Sequence, residues 1–146
     1  MRQIGEIIEG HPFFHVPSTT TVRDAARTMS DRNIGAIAVL DSGKLVGIFS
    51  ERDVLTRIVA EGRNPDDTRI ETVMTKDIIV ASPTDDLNEA LQKMHECKCR
   101  HLPVVQGGKL VGMISIRDLL QVDDDANREK ATFLRELVTY SPDYET

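Results

Sequence analysis

Tryptophan is absent from these 146 residues and aromatics make up only 4%, so any core must be assembled from Val, Ile, Leu, Ala and Met. Cysteine is almost absent: Cys97 and Cys99 are too few for a secreted disulfide framework and too close to staple a fold. Long apolar runs are missing as well. The longest, Ile34 to Leu40, falls far short of the ~20 residues a membrane helix needs. Glu6 and Glu9 interrupt the stretch after Met1-Arg2 where a secretory signal would be apolar. The expectation is a soluble, reduced, cytoplasmic protein. An excess of positive charge is also lacking. The net charge of -6 argues against general nucleic-acid binding, which gains from releasing counterions onto Lys and Arg. One small anion in a local basic pocket remains open.

What is present is an ordinary globular balance of 40% hydrophobic and 29% charged residues. The length suits one compact domain or two very small ones sharing a core. An internal repeat organises it. Lys44-Leu45-Val46-Gly47 recurs as Lys109-Leu110-Val111-Gly112, an offset of 112 − 47 = 65. At that offset, without a gap, 13 of the 41 positions from His15 to Leu55 are identical, far more than chance supplies. The chain is a duplication.

Each repeat reads as strand, helix, strand, strand, helix. Val22, Ala25, Ala26 and Met29 fall at helical spacing, as do Leu87, Ala90, Leu91 and Met94. Thr21 with Asp24, and Asp86 with Glu89, are N-cap and N3 pairs for those helices. The runs Ala36–Leu40 and Leu102–Val105 are short buried strands. Asp41-Ser42-Gly43 and Gln106-Gly107-Gly108 are hairpin turns. The following strands, Leu45–Phe49 and Leu110–Ile114, run into helices near Glu51 and Ile116. A polar stretch, Glu61–Thr68, reads as the hinge between repeats. After Leu120 come Asp123-Asp124-Asp125 and a helix from about Asn127 to Tyr140, striped by Phe133, Leu134, Leu137 and Val138. The expected fold is α+β: two β-α-β-β-α repeats packed pseudo-symmetrically through their sheets, plus a C-terminal helix. The expected domains are 1–66, 67–124 and a tail from 125 to 146.

The pattern Gly-x-x-Ser-x-Arg-Asp occurs twice, as Gly47–Asp53 and Gly112–Asp118, each where a strand meets a helix. Two roles are open to it. Ser-x-x-Asp is a capping pair; alternatively Asp accepts from ribose hydroxyls while Ser and the first helical N–H groups face a phosphate. Arg52 and Arg117 suit either a phosphate clamp or an ion pair between the repeats. In the run His95-Glu96-Cys97-Lys98-Cys99-Arg100-His101, His95 and His101 would sit roughly 20 Å apart in an extended strand. They cannot share one zinc ion, so no metal is expected. No activated nucleophile, Walker loop or carboxylate dyad is recognisable, and no catalysis is expected.

With "GKLVGIFSERDV" and "RHLPVVQGGKLVGMISIRDLL" in a doubled unit, the chain resembles the CBS (cystathionine β-synthase-type) domain family, whose paired domains form a Bateman module. The resemblance covers about Ile4 to Val122. It implies that Asp53 and Asp118, beside Ser50 and Ser115, bind the ribose of AMP, ADP, ATP, NAD or S-adenosylmethionine in clefts between the repeats. It implies that Arg100 and His101 supply phosphate contacts and that Ile37, Leu102 and Ile114 help wall the base. Repeat one departs from the pattern: Gly35-Ala36-Ile37-Ala38 carries neither the basic pair nor the proline of Arg100-His101-Leu102-Pro103. For Arg100 and His101 the alternative is a solvated strand edge. The expected function is a regulatory, homodimeric sensor of an adenosine ligand, with AMP first, no cofactor, and an unidentified protein as a further expected target. The rivals are a ligand-free dimerisation or docking module and a weak nucleotide hydrolase.

Overall fold

A computed structural model describes residues 2–121 and residue 135; the expected C-terminal helix lies outside the described residues. The architecture is α+β, and the chain divides into two compact units. One is Phe14–Ile78; in the other, the residues before Phe14 join those from Ile79 onward.

In the first unit, β1 (His15–Val16) runs parallel to β2 (Ala36–Asp41), which pairs antiparallel with β3 (Lys44–Ser50). Ser42 and Gly43 both take positive φ, at 51° and 78°, the turn that joins two right-twisted strands in a tight hairpin. Helix α2 (Val22–Arg32) opens on Thr21, whose hydroxyl accepts from Asp24 N–H at 3.2 Å. It closes on Asn33, which is left-handed at φ 55°. Its buried stripe, Val22, Ala25 and Met29, packs against Ile37, Val39 and Phe49 of the sheet. Helix α3 (Glu51–Asp53) continues as a π-helical turn, Val54–Val59. A 3-10 turn follows at Ile70–Thr72, where Ile70 N–H donates to Thr20 O at 2.9 Å.

The stretch Glu61–Thr68 is a tied loop of this unit. Arg23 Nε meets Asp66 Oδ1 at 2.8 Å, and Asn64 Oδ1 accepts from Asp66 N–H at 2.9 Å. That ion pair holds the Asp66 carboxyl below its usual range, chiefly through the side-chain hydrogen bond from Arg23.

In the second unit, α1 (Ile4–Ile8) anchors through Ile4 N–H to Asp85 O at 2.8 Å. Helix α4 (Leu87–Cys97) carries the expected capping box of Asp86 and Glu89. Strands β4 (His101–Gln106) and β5 (Lys109–Ser115) form a hairpin and lead into α5 (Ile116–Leu120). The expected first strand of this repeat is reduced to one parallel bridge, Ala81 with Val104. Ile4, Leu87, Ala90, Met94, Leu102 and Ile114 form the core.

Cys97 and Cys99, expected as reduced thiols, are joined as a disulfide with Cα atoms 5.2 Å apart. The chain here is not extended: Lys98 is the left-handed C-cap of α4, at φ 53°, which turns its two neighbours toward one another. Both cysteines pack on the core of this unit. Among the described residues no helix is long and apolar enough to cross a membrane.

Candidate functional site

The two copies of the repeated motif fold into the same device. Ser50 and Ser115 are N-caps, extended at φ −121° and −108°. Their hydroxyls accept from the N–H of Asp53 and Asp118 at 3.2 and 3.1 Å. The carboxylates reach back in return, accepting from Ser50 N–H at 2.9 Å and Ser115 N–H at 2.8 Å. Each box therefore satisfies two backbone donors that a helix start leaves open. The first helical N–H of each repeat is also engaged: Glu51 N–H donates to Gly35 O at 2.9 Å and Ile116 N–H to Arg100 O at 2.8 Å. The capping role read from the sequence is thus present in both repeats.

The same bonds bring the strand starts beside the boxes. Ala36 pairs with Ser50 and His101 with Ser115 across the two hairpins. Repeat two therefore places its basic pair, Arg100 and His101, next to Ser115 and Asp118, whereas Gly35 and Ala36 occupy the matching place beside Ser50 and Asp53. Arg52 and Arg117 are both exposed. Ile37, Leu102 and Ile114 have no exposed surface at all. They stand in the cores of their units, Leu102 directly opposite Ile114. The buried neighbours of the motif are what put them there: a strand flanked by a helix on one side loses every inward side chain to the core.

The CBS domain family profile matches residues 4–60 and again 70–125. The chain belongs to the CBS-domain family. It is 42% identical over 117 residues to the CBS domain-containing protein CBSCBSPB3 of Arabidopsis thaliana, covering 80% of this chain and 21% of that one. The chain thus spans about a fifth of that relative's length. A protein with CBS domains from Burkholderia ambifaria MC40-6 superposes with a TM-score of 0.79 at 34% identity, covering 84% of this chain and 96% of that one. The CBS domain protein PAE2072 of Pyrobaculum aerophilum, complexed with AMP, superposes with a TM-score of 0.75 at 29% identity, covering 94% and 98%.

Two residues beside the first CBS motif were not singled out from the sequence. Arg57 Nε lies 3.5 Å from Asp53 Oδ1, and Thr75 Oγ1 lies 3.4 Å from the same oxygen. The i,i+4 spacing of Asp53 and Arg57 was a readable signal. Thr75 was not readable: it reaches the motif only because its backbone pairs with Ile48 of β3.

Proposed function

We propose that this CBS pair is a regulatory module that binds an adenine nucleotide, AMP ahead of ADP, ATP, NAD or S-adenosylmethionine, and catalyses no reaction. The observation that carries the reading is the juxtaposition, within one unit, of the Ser115–Asp118 box with Arg100 and His101. A carboxylate for a ribose and a basic pair for a phosphate are the two polar handles of a nucleotide. The AMP carried by the Pyrobaculum relative supports the same ligand class. Calorimetry on the purified chain is expected to give heat with AMP. Silence with all five ligands would reject the reading.

The basic pair makes a second expectation. Changing Arg100 or His101 to Ala should weaken AMP by about tenfold, the loss of one charge-assisted contact, and leave adenosine nearly untouched. Equal losses for AMP and adenosine would point to altered packing instead.

The reading includes a cytoplasmic homodimer. Leu55 and Val59, in the segment that follows the first motif, are 59% and 66% exposed, and large aliphatic side chains so exposed favour a contact surface. Light scattering should return twice the 16.3 kDa chain mass, and Leu55→Glu with Val59→Glu should shift it toward one chain. A single-chain mass for the unaltered protein would contradict the dimer.

A further inference from the structure

The two capping boxes look alike, but their carboxylates are held differently. In repeat one, Asp53 is only 6% exposed, and both its oxygens are engaged. Oδ2 accepts from Ser50 N–H at 2.9 Å and from Ser50 Oγ at 3.1 Å. Oδ1 faces Arg57 Nε at 3.5 Å and the Thr75 hydroxyl at 3.4 Å. These last two distances are long for strong bonds. The guanidinium is nevertheless fixed beside the carboxylate, because Arg57 also donates to Val73 O at 2.7 Å and Met74 O at 3.0 Å. A cation pinned by two carbonyls does not drift away when a ligand arrives.

At the matching positions repeat two carries neither side chain of the latch. At the repeat offset, Arg57 corresponds to residue 57 + 65 = 122, which is Val122 and has no charge to offer. The segment bearing Thr75 matches the N-terminal segment one residue further along, since Ile70 bonds Thr20 as Ile4 bonds Asp85 and 70 − 4 = 66. Thr75 then corresponds to residue 75 − 66 = 9, which is Glu9, and a carboxylate donates nothing to Asp118. Asp118 is half-buried rather than buried, with its box bond from Ser115 N–H through Oδ2.

We propose that Arg57 and Thr75 latch Asp53 and close repeat one to ribose, so that the CBS pair takes one adenine nucleotide per chain, recognised through Asp118. The inference rests on the adenine-nucleotide reading above. A carboxylate that chelates two ribose hydroxyls must present both oxygens to them. The four donors around Asp53, Ser50 N–H, Ser50 Oγ, Arg57 and Thr75, already take up the roughly four acceptor positions of its carboxylate, so two ribose hydroxyls must displace two of them. Among the described residues Asp118 receives only Ser115 N–H, which leaves room for both hydroxyls with the cap in place. Arg57 and Thr75 are positioning residues, since they act through Asp53 and need not touch the ligand.

The test is calorimetry with AMP on the full chain. The unaltered protein should titrate with one AMP per chain, and Asp118→Ala should weaken that site 10- to 100-fold. Arg57→Val, which gives repeat one the residue of repeat two, combined with Thr75→Val, should raise the stoichiometry from one to two. Arg57→Val also removes two bonds to backbone carbonyls. Thr75→Val alone therefore serves as the milder variant, expected to reveal a second, weaker site with the Arg57 anchor intact. Two equal sites in the unaltered protein would overturn the latch, as would a site indifferent to Asp118→Ala. So would folded variants in which no second site opens. Those results leave nucleotide binding standing, whereas no AMP binding by any of these proteins would reject the underlying reading and the latch with it.

Discussion

Lys93→Met is expected to lower the unfolding free energy by about 2–3 kcal/mol at pH 7. Lys93 Nζ donates to Asp85 Oδ2 at 2.7 Å and to Val80 O at 3.0 Å. Asp85 itself is 8% exposed, and its other bond comes from Ser82 N–H at 2.9 Å. Methionine keeps the aliphatic stem but leaves the buried carboxylate without its cation, and that desolvated charge is what makes the loss larger than for a surface pair. The pH dependence identifies the source. Burial alone would raise the Asp85 carboxyl; the Lys93 hydrogen bond and the Ser82 N–H outweigh it and hold it below its ordinary value. A carboxyl so lowered contributes its full stability above the unfolded value of about 3.9 and loses it as pH falls through the folded one. In the variant burial is opposed only by the Ser82 N–H and the Glu89 side chain, so the carboxylate loses the share of its stabilisation that Lys93 supplied. Urea unfolding at pH 7 and pH 3 should therefore show the gap between the two proteins narrowing in acid. An equal gap at both values would assign the loss to packing of the stem.

What was legible in the sequence is what depends on neighbours along the chain. The hairpin turns at Ser42-Gly43 and Gly107-Gly108, the Thr21 and Asp86 caps, and the Ser-x-x-Asp boxes each need only a few consecutive residues, and all stand where expected. The first strand of repeat two was not legible. Val80, Ala81 and Ser82 have the right register for a strand, but only Ala81 finds a partner. The polar stretch Glu61–Thr68 read as a hinge; the Asn64 bonds within it are local, but the Arg23–Asp66 pair that ties it to α2 reaches across 43 residues of sequence. At the candidate site the same division holds. The capping geometry was readable, as was the burial of Ile37 and Leu102 in short apolar strands, whereas the approach of Thr75 depends on tertiary packing. Cys97 and Cys99 were read as reduced thiols from their number and spacing; that they meet depends on the left-handed cap at Lys98, which one intervening residue does not announce.

The repeated glycine of the motif explains why α1 and the 3-10 turn belong to these units at all, and it sets the other large expected effect. A Cβ built on Gly47 would meet Met74 along its length, colliding with Sδ and lying 2.8 Å from Cγ and 3.1 Å from Cε; one built on Gly112 would lie 2.7 Å from Ile8 Cδ1. Met74 and Ile8 are themselves equivalent at the offset 74 − 8 = 66, the same one-residue slip that relates Ile70 to Ile4. That slip hides the match from a gapless comparison at 65, although the contact is common to both repeats. Each glycine is thus the receptor for a hydrophobic plug from the segment preceding the other repeat, and neither adopts a positive φ, so space and not backbone conformation is what they supply. Gly47→Val is expected to cost about 1–3 kcal/mol by overpacking a side chain that is only 7% exposed. Met74→Ala alone should cost about 2–5 kcal/mol through the space it empties. Together the two changes should cost at least 1 kcal/mol less than their sum, because valine then fills what methionine vacated. Additivity within about 0.5 kcal/mol in denaturant unfolding would show that Met74 moves aside freely and that the glycine is there for another reason.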